Sequence, residues 1–335
     1  MDAPLSLRRA DEHSCRRPTA CLVSETPEVS VVIPTRNRCE ILLRTLQGAL
    51  AQEDVELEVV IVNDASTDNT AQRLEAIADP RIRLFHHARR RGVAAARNTG
   101  LAHVVGTWVA FLDDDDLWSP RKLRAQLDAA AAAQASLVYT RAVLVDPLSR
   151  VIGPLSFIEP HELRERLRSS NVMPAGASNV IVRTEAIRNA GGFDERLLQL
   201  ADWDLWLRLA EVPAAACRDV LVAYVQHPEN MVLTHAQTVG REFSYLTHKH
   251  RRQGVELDPL RLAGWLSTAE LRAGRPLHAV KVRANFALRY RRPMLLLGPL
   301  LRRLLGPRRR EIRQPAPDEP DWLEVYRRHT AAVDP

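Results

Sequence analysis

The sequence predicts an α/β protein built on a doubly wound, mainly parallel sheet. Short apolar runs rich in β-branched residues recur between residues 28 and 146, and such runs are typical of strands buried in parallel sheets. Segments with apolar residues at helical spacing separate these runs. This alternation favours a sheet that is covered by helices on both faces.

Each element follows from a local pattern. The first strand, EVSVVIPT, is an unbroken apolar run that closes at Pro34. Ser66 or Thr67 is expected to cap the second helix, and Ser119 followed by Pro120 is expected to open the fourth. The predicted order is strand 28–35, helix 39–52, strand 57–64, helix 66–79, strand 81–87, helix 92–104, strand 107–113, helix 119–134 and strand 136–146.

Length and composition predict a soluble globular protein with reduced thiols. The 335 residues are 46% hydrophobic and 26% charged, which suffices for one large α/β domain or two smaller ones. No apolar run approaches the ~18–20 residues that a membrane span needs, and residues 1–27 lack the apolar core of a secretory signal. The four cysteines are scattered and form no metal-ligand pattern. A cytoplasmic location is therefore expected.

Polar residues follow three of the predicted strands. Thr35 and Arg36 end the first strand, Asp64 ends the second, and the run from Asp113 to Asp116 follows the fourth directly. Parallel sheets bind their ligands beyond the carboxyl ends of the strands. These side chains are therefore expected to share one rim of the sheet and to form the functional site.

The four consecutive acids suggest a cation site. Burying even one unpaired carboxylate is costly, and four neighbouring carboxylates repel one another. In an extended chain, Asp113 and Asp115 point to one side, and Asp114 and Asp116 to the other. Two carboxylates on one side suit Mg²⁺ or Mn²⁺, with further ligands from phosphate oxygens and water. The alternative is a solvated acidic loop in which Asp116 stabilises the N-terminus of the next helix.

Motifs that are missing narrow the choice of ligand. There is no GxxxxGK[ST] and no GxGxxG after the first strand, which argues against a P-loop NTPase and a dinucleotide-dependent dehydrogenase. The formal net charge is +6, but no basic segment has interleaved aromatic residues, so nucleic acid is not an expected partner. A phosphate ester bound together with a divalent cation is the expected ligand.

Five segments, in order, carry a resemblance to a known family. They are VSVVIPTRNR, VVIVNDASTDNT, RGVAAARNTGLAHVVGTWVAFLDDDDLW, GGFDERLLQLADWDLWLRLA and HPENM. Together they resemble the family 2 glycosyltransferases, from about Val29 to about Val232. The resemblance implies a GT-A fold over residues 28–233, after an N-terminal tail at 1–27 and before a helical, basic C-terminal extension at 234–335. It also implies an inverting sugar transfer from a nucleotide-diphospho-sugar, with a UDP-sugar favoured, to an acceptor hydroxyl.

The resemblance implies roles for residues in the first half of the chain. The nucleotide-binding set is Pro34, Thr35, Arg36, Asp64, Arg97 and Asp113. Within this set, Asp64 accepts a hydrogen bond from the base and Asp113 faces the ribose. Asp115 faces the diphosphate and its divalent cation, Mn²⁺ or Mg²⁺, which stabilises the charge on the leaving group.

A second set of residues is implied near the acceptor. Asp202 matches the catalytic base, which takes the proton from the acceptor hydroxyl, and Trp203 would shape the acceptor site. The acid that commonly precedes this base in the family is replaced by Ala201. The residue pattern also fits an alternative, in which Asp202 caps an amphipathic helix whose core face includes Trp203. Asp204 is the second candidate for the base.

Two further residues have alternative roles. Asp194 in GGFDE either contacts the donor sugar and acceptor or caps its own loop. His227 in QHPENM either binds the metal or diphosphate or is a hydrogen-bonded loop residue. The residue pattern alone does not decide between these roles.

The C-terminal extension is apolar and basic. The stretch RPMLLLGPLLRRLLGPRRR at 292–310 is too short and interrupted to span a bilayer. It either lies on the inner face of an anionic membrane, as a peripheral contact, or packs on the catalytic domain with a solvated basic face. A lipid-linked acceptor would suit the first interpretation.

Two other functions fit parts of the sequence. A non-catalytic nucleotide-sugar-binding or scaffold protein of the same fold is one, and Ala201 is the local feature that favours it. A nucleotidyltransferase is the other, but PTRNR lacks the Gly-rich loop expected after the first strand. The donor sugar, the acceptor and the oligomeric state are open at this point.

Overall fold

Strands and helices alternate through the first half of the chain, as the sequence pattern predicts. The computed structural model describes residues 26–227, 236–272, 274–293 and 320–331. The strands are β1 (Val29–Thr35), β2 (Leu57–Asn63), β3 (Ile82–His86), β4 (Trp108–Phe111), β5 (Leu117–Trp118), β6 (Leu137–Val145), β7 (Val151–Pro154), β8 (Ile181–Arg183) and β9 (Ala214–Val225). The helices are α1 (Cys39–Leu50), α2 (Thr70–Glu75), α3 (Val93–His103), α4 (Lys122–Ala133), α5 (Pro160–Leu167), α6 (Thr184–Asn189), α7 (Ala201–Arg208), α8 (Ala236–His250), α9 (Pro259–Arg272), α10 (Pro276–Arg289) and α11 (Leu323–Ala331).

One nine-stranded sheet runs through the described residues. Its order is β3-β2-β1-β4-β8-β6-β9-β5, and β7 pairs with β6. Strands β1 to β4 are mutually parallel, as are β6 and β9. Strand β8 lies between β4 and β6 and is antiparallel to both, and β5 and β7 are also antiparallel to their partners. The predicted α/β fold class is confirmed. The sheet is mixed, and it is parallel at β1, β2 and β4, whose carboxyl ends carry candidate site residues.

Strands β1 and β2 are buried along their whole length because helices cover both faces of the sheet. Alternate residues of a strand point to opposite faces. Val32 and Val60 accordingly belong to one hydrophobic cluster, whereas Val31 and Val59 belong to the other. This two-sided burial explains why the strands read as unbroken apolar runs rather than as alternating ones.

Two predicted helix starts are wrong. The second helix begins at Thr70, not at 66, because Ser66 Oγ accepts the N–H of Asn37 (2.9 Å) and is unavailable as a cap. The N–H of Thr70 is instead accepted by Asp68 Oδ1 (3.1 Å). Thr67 is likewise tied to Asn37, whose Oδ1 accepts its N–H (2.7 Å). The fourth helix begins at Lys122, after a turn that contains Pro120.

Helix α8 packs into the core of the sheet domain. Val239, Phe243 and Leu246 are buried, and they share one hydrophobic cluster with Trp203 of α7. Side chains from both sides of the predicted boundary at 233/234 therefore form one core. No helix in the described ranges is both long and apolar enough to cross a bilayer. The segment predicted to contact a membrane at 292–310 lies, from residue 294 on, outside the described residues.

Gly106 lies just before β4 and allows the chain there to pass close to the backbone of β1. A Cβ added there would lie 2.7 Å from Ser30 N and 2.9 Å from Val29 C. We expect Gly106→Ala to lower the free energy of unfolding by about 2–3 kcal/mol, because backbone atoms of β1 must shift. Urea denaturation followed by circular dichroism measures this change.

Gly153→Ala is the matched control for this substitution. No atom lies within 4 Å of a Cβ added at Gly153. We expect its free energy of unfolding to change by less than about 0.5 kcal/mol. An equally small change for Gly106→Ala would show that β1 and β4 separate at no cost and would contradict the prediction.

Candidate active site

Four strand ends meet at one rim of the sheet. Strands β1, β2 and β4 are parallel neighbours, so their carboxyl ends bring Thr35, Asp64 and Asp113 to the same edge. The end of β9 joins them, since the N–H of Val225 donates to Asp116 Oδ1 (3.2 Å). The rim expected from the sequence therefore exists, with β9 as a further contributor.

The acid run forms a turn rather than an extended strand. Strand β4 ends at Phe111, and the N–H of Asp116 donates to the carbonyl of Asp113 (3.2 Å). The alternation of side chains expected for an extended chain is therefore wrong here. Four adjacent carboxylates repel one another, and the turn lets them reach different partners.

The two middle acids share one guanidinium group. Arg38 Nη1 lies 2.9 Å from Asp114 Oδ1 and 2.8 Å from Asp115 Oδ2. Thr35 Oγ1 also donates to Asp114 Oδ2 (2.8 Å). Burial and the charge of Asp115 nevertheless raise the pKa of Asp114 to about 6, against the effect of Arg38 and Thr35. One permanent cation thus compensates a buried pair of carboxylates only in part.

Asp115 also contacts the residue that the sequence suggested as a second metal ligand. His227 Nε2 lies 2.9 Å from Asp115 Oδ2, and both side chains are about nine-tenths buried. Carboxylate oxygen and imidazole nitrogen are both ligands for first-row divalent metals. Within the described ranges, no group of three or more His, Cys, Asp or Glu side chains could hold a metal ion. The pair fits a cation that takes its remaining ligands from a diphosphate and water.

Arg97 and Asp113 form the second charge pair of the rim. Arg97 is buried and donates through Nη2 to Asp113 Oδ1, and its Nε has no partner among the described residues. About a third of the Asp113 side chain is exposed (32%). The N–H of Asp113 donates to Ser178 Oγ (3.1 Å), which fixes the backbone here. An exposed carboxylate beside a partly unpaired guanidinium can bind a ligand through both accepting and donating groups.

Asp116 faces away from this pair. It is fully buried, and its Oδ2 has no partner in the described part of the chain. Burial, with the charges of Asp115 and Asp113, raises the pKa of Asp116 well above its ordinary value. Asp116 thus favours its neutral form and fixes the turn to β9, and it does not stabilise the N-terminus of α4 as the alternative interpretation had it.

Asp64 organises the loop between β3 and α3. Its Oδ1 accepts His87 Nδ1–H (2.8 Å) and the N–H of Arg91 (2.7 Å), and its Oδ2 accepts the N–H of Gly92 (2.8 Å). Burial alone would raise the pKa of Asp64, but these hydrogen bonds outweigh burial and lower it. Asp64 is therefore an anion at the rim, and its bond to a nucleobase stays a prediction.

The PTR segment, residues 34–36, lies at the end of β1, and its first two residues are buried. Pro34 is buried beside Val62 of β2, and Thr35 is occupied by its bond to Asp114. Arg36 is partly buried at the rim, and its Nε has no partner among the described residues. Of the three, Arg36 has the side chain that a bound nucleotide can reach.

Asp202 lies in the first turn of α7, and its role as the base stays a prediction. Its Oδ1 accepts the N–H of Trp203 (2.7 Å), and its Oδ2 lies 3.4 Å from Asn171 Nδ2. Gly176 faces the same carboxylate at a φ of 52°, and a Cβ added there would lie 3.0 Å from Asp202 Oδ2. Glycine is needed at 176 both for this left-handed conformation and for this close approach.

The pKa of Asp202 is raised, mainly by burial. The positive charge of Arg97 and the N–H of Trp203 oppose the rise, and the negative charge of Asp113 adds to it. Segment 176–179 links Asp202 to the Arg97–Asp113 pair, since Gly176 lies against the Asp202 carboxylate and Ser178 Oγ accepts the N–H of Asp113. A partly buried carboxylate with a raised pKa at such a site is suited to general base catalysis.

Trp203 is a core residue, and the expectation that it shapes the acceptor site is wrong. It is 1% exposed, its Nε1–H donates to the carbonyl of Leu167 (2.8 Å), and its ring lies 6.1 Å from that of Phe243. No indole surface is left for an acceptor. Ala201 is also 1% exposed and belongs to the same hydrophobic cluster, so the position of the missing acid lies inside the core.

Asp204 is not available as a base. It is fully buried, and its carboxylate lies 2.7 Å from Arg208 Nη2, 2.7 Å from Lys249 Nζ and 2.8 Å from His250 Nε2. Burial acts to raise the pKa of Asp204, but these partners outweigh burial and lower it. A carboxylate held in this way cannot reach an acceptor, so Asp202 is the better placed of the two candidates.

Asp194 anchors its loop to α8. It accepts bonds from Arg196 Nε (2.9 Å), Tyr245 Oη (2.8 Å) and Lys249 Nζ (2.8 Å). The N–H of Arg196 also donates to it, as in a capped loop (3.1 Å). These contacts favour the loop-capping alternative over the predicted contact with sugar or acceptor.

Several residues of the site were missed by sequence reasoning. Arg38, Ser178, Gly176 and Tyr224 contact or influence the acids of the rim. Burial and the negative charges of the acids raise the pKa of Tyr224 well above its ordinary value. Arg38 could have been found, since it lies in PTRNR beside predicted residues. The other three lie on distant segments, and no local pattern marks them.

Comparison with known proteins finds a family model and several relatives that match part of the chain. A family model described as Glycosyl transferase family 2 matches residues 30–191. The succinoglycan biosynthesis protein ExoO of Rhizobium meliloti is 36% identical over 164 residues, or 49% of this chain and 46% of that protein. The Escherichia coli UDP-Glc:α-D-GlcNAc-diphosphoundecaprenol β-1,3-glucosyltransferase WfgD is 28% identical over 181 residues, or 54% of this chain and 69% of that protein. This chain thus matches about half the length of ExoO.

Solved structures share the fold. Residues 1–349 of TarS from S. aureus superpose with a TM-score of 0.52 at 18% identity, covering 78% of this chain and 91% of that one. The same protein in complex with UDP-GlcNAc gives a TM-score of 0.52 at 17% identity, with coverage of 78% and 92%. At such identities the likeness concerns the fold alone. The chain therefore has the GT-A fold of these structures, and residues 30–191, which include β1, β2 and β4 of the rim, resemble the family 2 glycosyltransferases.

Proposed function

We propose that this chain transfers a sugar from a nucleotide-diphospho-sugar to an acceptor hydroxyl by a single displacement that inverts the anomeric carbon. The observation that carries the proposal is that segment 176–179 lies against Asp202 at Gly176 and contacts Asp113, the partner of Arg97, through Ser178. Such a transfer needs a base for the acceptor and cationic groups for the leaving diphosphate. The rim supplies both kinds of group from different elements of the fold.

A UDP-sugar is the favoured donor. Arg36 and Arg97 each have a buried Nε without a partner among the described residues, and such donors suit the oxygens of a diphosphate or ribose. Asp113 would face the ribose and Asp64 the base. TarS has been solved with UDP and with UDP-GlcNAc, and the name of WfgD specifies UDP-glucose. These relatives support a uracil nucleotide for this chain.

Different residues of this chain would take the proton and bind the leaving group during the displacement. Asp202, in its ionised form, takes the proton from the acceptor hydroxyl as that oxygen bonds to the anomeric carbon. The bond from this carbon to the phosphate oxygen breaks, and its electron pair leaves with the nucleoside diphosphate. Arg97 and Arg36 would hold the leaving group through charge-assisted hydrogen bonds. No covalent intermediate with the enzyme is required.

Asp115 and His227 would hold a divalent cation, Mn²⁺ or Mg²⁺. Their contact at 2.9 Å is the observation that supports this part of the proposal. A bound cation of this kind stabilises the negative charge that develops on the leaving diphosphate. Arg38, which already contacts Asp115, would keep the carboxylate oriented towards His227.

The acceptor would be a growing cell-surface polysaccharide or its lipid-linked precursor. ExoO is named for succinoglycan biosynthesis, and WfgD is named for a diphosphoundecaprenol-linked acceptor. Both names support a role in polysaccharide synthesis for this chain. A cytoplasmic location agrees with this role and stays a prediction.

Asp202→Asn tests the assignment of the base. We expect the turnover number to fall by about 10²–10⁴-fold, because the acceptor hydroxyl loses its proton acceptor. Release of nucleoside diphosphate, measured with a panel of nucleotide sugars and acceptors, gives the rate. UDP binding, measured by calorimetry, should change less than about twofold, since Asp202 is not proposed to touch the nucleotide.

Asp128→Asn is the control for this substitution, because Asp128 is an exposed acid that pairs with Arg124 on α4. Its turnover should match that of the unmodified chain. Full turnover in Asp202→Asn would remove Asp202 as the base. Loss of UDP binding in Asp202→Asn would show instead that the residue belongs to the donor site.

We expect the pH dependence of turnover to follow the ionisation of Asp202. The base must be ionised, so turnover should fall as the pH drops through the raised pKa of Asp202 and level off above it. Arg97→Gln removes a positive charge that lowers this pKa, so the acidic limb should move to higher pH. The measurement is the turnover number at saturating donor across the acidic and neutral range.

The test depends on the direction in which the acidic limb of the pH profile moves in Arg97→Gln. An acidic limb that stays in place in Arg97→Gln, or moves to lower pH, would contradict the assignment of the limb to Asp202. Asp128→Asn serves as the control, and its limb should coincide with that of the unmodified chain. A higher Michaelis constant in Arg97→Gln is expected and leaves the test intact.

Metal dependence tests Asp115 and His227. We expect chelator to abolish turnover, and Asp115→Asn to raise the Mn²⁺ concentration for half-maximal turnover by at least about tenfold. His227→Gln should act in the same direction. Titration of Mn²⁺ and Mg²⁺ into metal-free protein gives these values.

His86→Gln is a suitable control, because His86 lies on β3 and pairs with Glu75, away from the acids of the β4 turn. Its metal titration should match that of the unmodified chain. If Asp115→Asn and His227→Gln titrate as the unmodified chain does, the cation is held elsewhere. Full turnover in chelator would remove the cation from the proposal.

A further inference from the structure

Helices α9 and α10 carry most of the exposed large hydrophobic side chains in the described part of the chain. Six of ten such residues lie there: Leu260, Trp265, Leu271, Leu277, Val280 and Leu288. The other four are scattered over three separate regions, at Val105, Leu148, Ile152 and Val325. Scattered exposed apolar residues are ordinary, whereas a concentration of them marks an interaction surface.

Helix α10 has two apolar stripes. One stripe is buried against the protein and consists of Ala279, Val282, Phe286 and Ala287. The other consists of Leu277, Val280 and Leu288, which are 75%, 56% and 79% exposed. Their spacing of i, i+3 and i+11 returns to the same side of a helix. We call these three residues the exposed stripe.

The charges around the exposed stripe are of one sign. Residues 259–292 contain eight Arg or Lys residues and one acid, Glu270. Glu270 is 2% exposed and is paired with Arg275 (2.9 Å), so it contributes no negative surface. Lys281 is exposed and lies i+4 from Leu277, within the side that carries the stripe.

Further cations extend this surface beyond the helix. Arg291 and Arg292 directly follow α10, and both are exposed. Together with Lys281 they surround an apolar stripe without a single exposed carboxylate between residues 259 and 292. The surface is therefore apolar at its centre and positively charged around it.

We propose that the exposed stripe of α10 docks the protein on the surface of an anionic membrane. In such a contact, apolar side chains enter the boundary of the acyl chains, and lysine and arginine interact with anionic headgroups. Charge decides against a second copy of this chain as the occupant, because two such surfaces would repel each other. The inference goes beyond the proposed transfer reaction and does not depend on it.

The test is cosedimentation of the full chain with lipid vesicles. Vesicles of equal parts phosphatidylglycerol and phosphatidylcholine are compared with vesicles of phosphatidylcholine alone. The stripe variant is Leu277→Ser, Val280→Ser, Leu288→Ser. The control is Val105→Ser, Leu148→Ser, Ile152→Ser, which also removes three exposed large apolar side chains, but from other regions. A charge variant, Lys281→Glu, Arg291→Glu, Arg292→Glu, leaves the apolar residues in place.

We expect the unmodified chain to bind the anionic vesicles and to bind the neutral ones at least about tenfold more weakly. The stripe variant and the charge variant should each lose at least about tenfold in affinity for anionic vesicles. The control should stay within about twofold. Circular dichroism and thermal unfolding report that each variant is folded.

Three results would overturn the proposal. The first is a stripe variant that binds anionic vesicles as well as the unmodified chain does, which would assign binding to another segment. The second is equal binding of the unmodified chain to anionic and neutral vesicles. The third is a dimer, seen by light scattering, that the stripe variant dissolves, which would make the stripe a protein interface.

Discussion

The charge of the acid run after β4 is the constraint on which the rim depends. Four carboxylates beside buried strands can persist only if each finds a separate environment, because an uncompensated buried charge costs several kcal/mol. The turn after Phe111 provides that separation. The first acid pairs with Arg97, the middle two share Arg38, and Asp116 favours its neutral form against β9. Residues from β1, α3 and β9 are fixed in place by these contacts.

The compensation is incomplete, and that has a consequence for ligands. Arg38 supplies one positive charge for two carboxylates, and burial, together with the charge of Asp115, still raises the pKa of Asp114 to about 6. The residual negative charge lies next to His227, whose imidazole is already in contact with Asp115. This arrangement is consistent with the proposed cation, which would need few protein ligands if the diphosphate and water supply the others. It also explains how an acid run can lie at the end of a core strand.

The strands at the centre of the sheet could be predicted from the sequence because their cause is local. A strand buried on both faces must be apolar at every position, and VSVVIPT and LEVVIVN show this directly. Strand β9 has no such mark, since Arg218 and Asp219 interrupt it and its burial comes from pairing with β6, far earlier in the chain. Pairing between distant segments leaves no local pattern to read.

The same distinction applies to the site. The acids Asp64, Asp113 and Asp202 could be named because they stand in recognisable segments. The groups that hold the acid run could not be named, because Arg38 pairs with Asp114 and Asp115, and Ser178 accepts the N–H of Asp113, from other elements of the fold. Trp203 was assigned to the wrong environment for a related reason. The amphipathic pattern of α7 had placed Trp203 on the core face as the alternative, and packing against Phe243 of α8 buries that face.

The position of the proposed base depends on helices beyond the family match, which ends at residue 191. Glu242 of α8 accepts the N–H groups of Gln199 and Leu200 (2.8 and 3.0 Å), directly before α7. Lys249 and His250, at the other end of α8, hold Asp204 within α7. Helix α8 thus fixes the first turn of α7 from both sides, and Asp202 lies in that turn.

Helix α10 packs on the same α8. Ser244 Oγ lies 3.2 Å from Tyr290 Oη at the end of α10, and Phe243 packs between Trp203 and Phe286. A continuous set of contacts therefore joins α10, which carries the exposed stripe, to α7, which carries the proposed base. Docking of the stripe on a membrane would orient Asp202 relative to the lipid surface. A lipid-linked acceptor would then meet the base at a defined height above that surface, whereas a free acceptor would gain nothing from the contact.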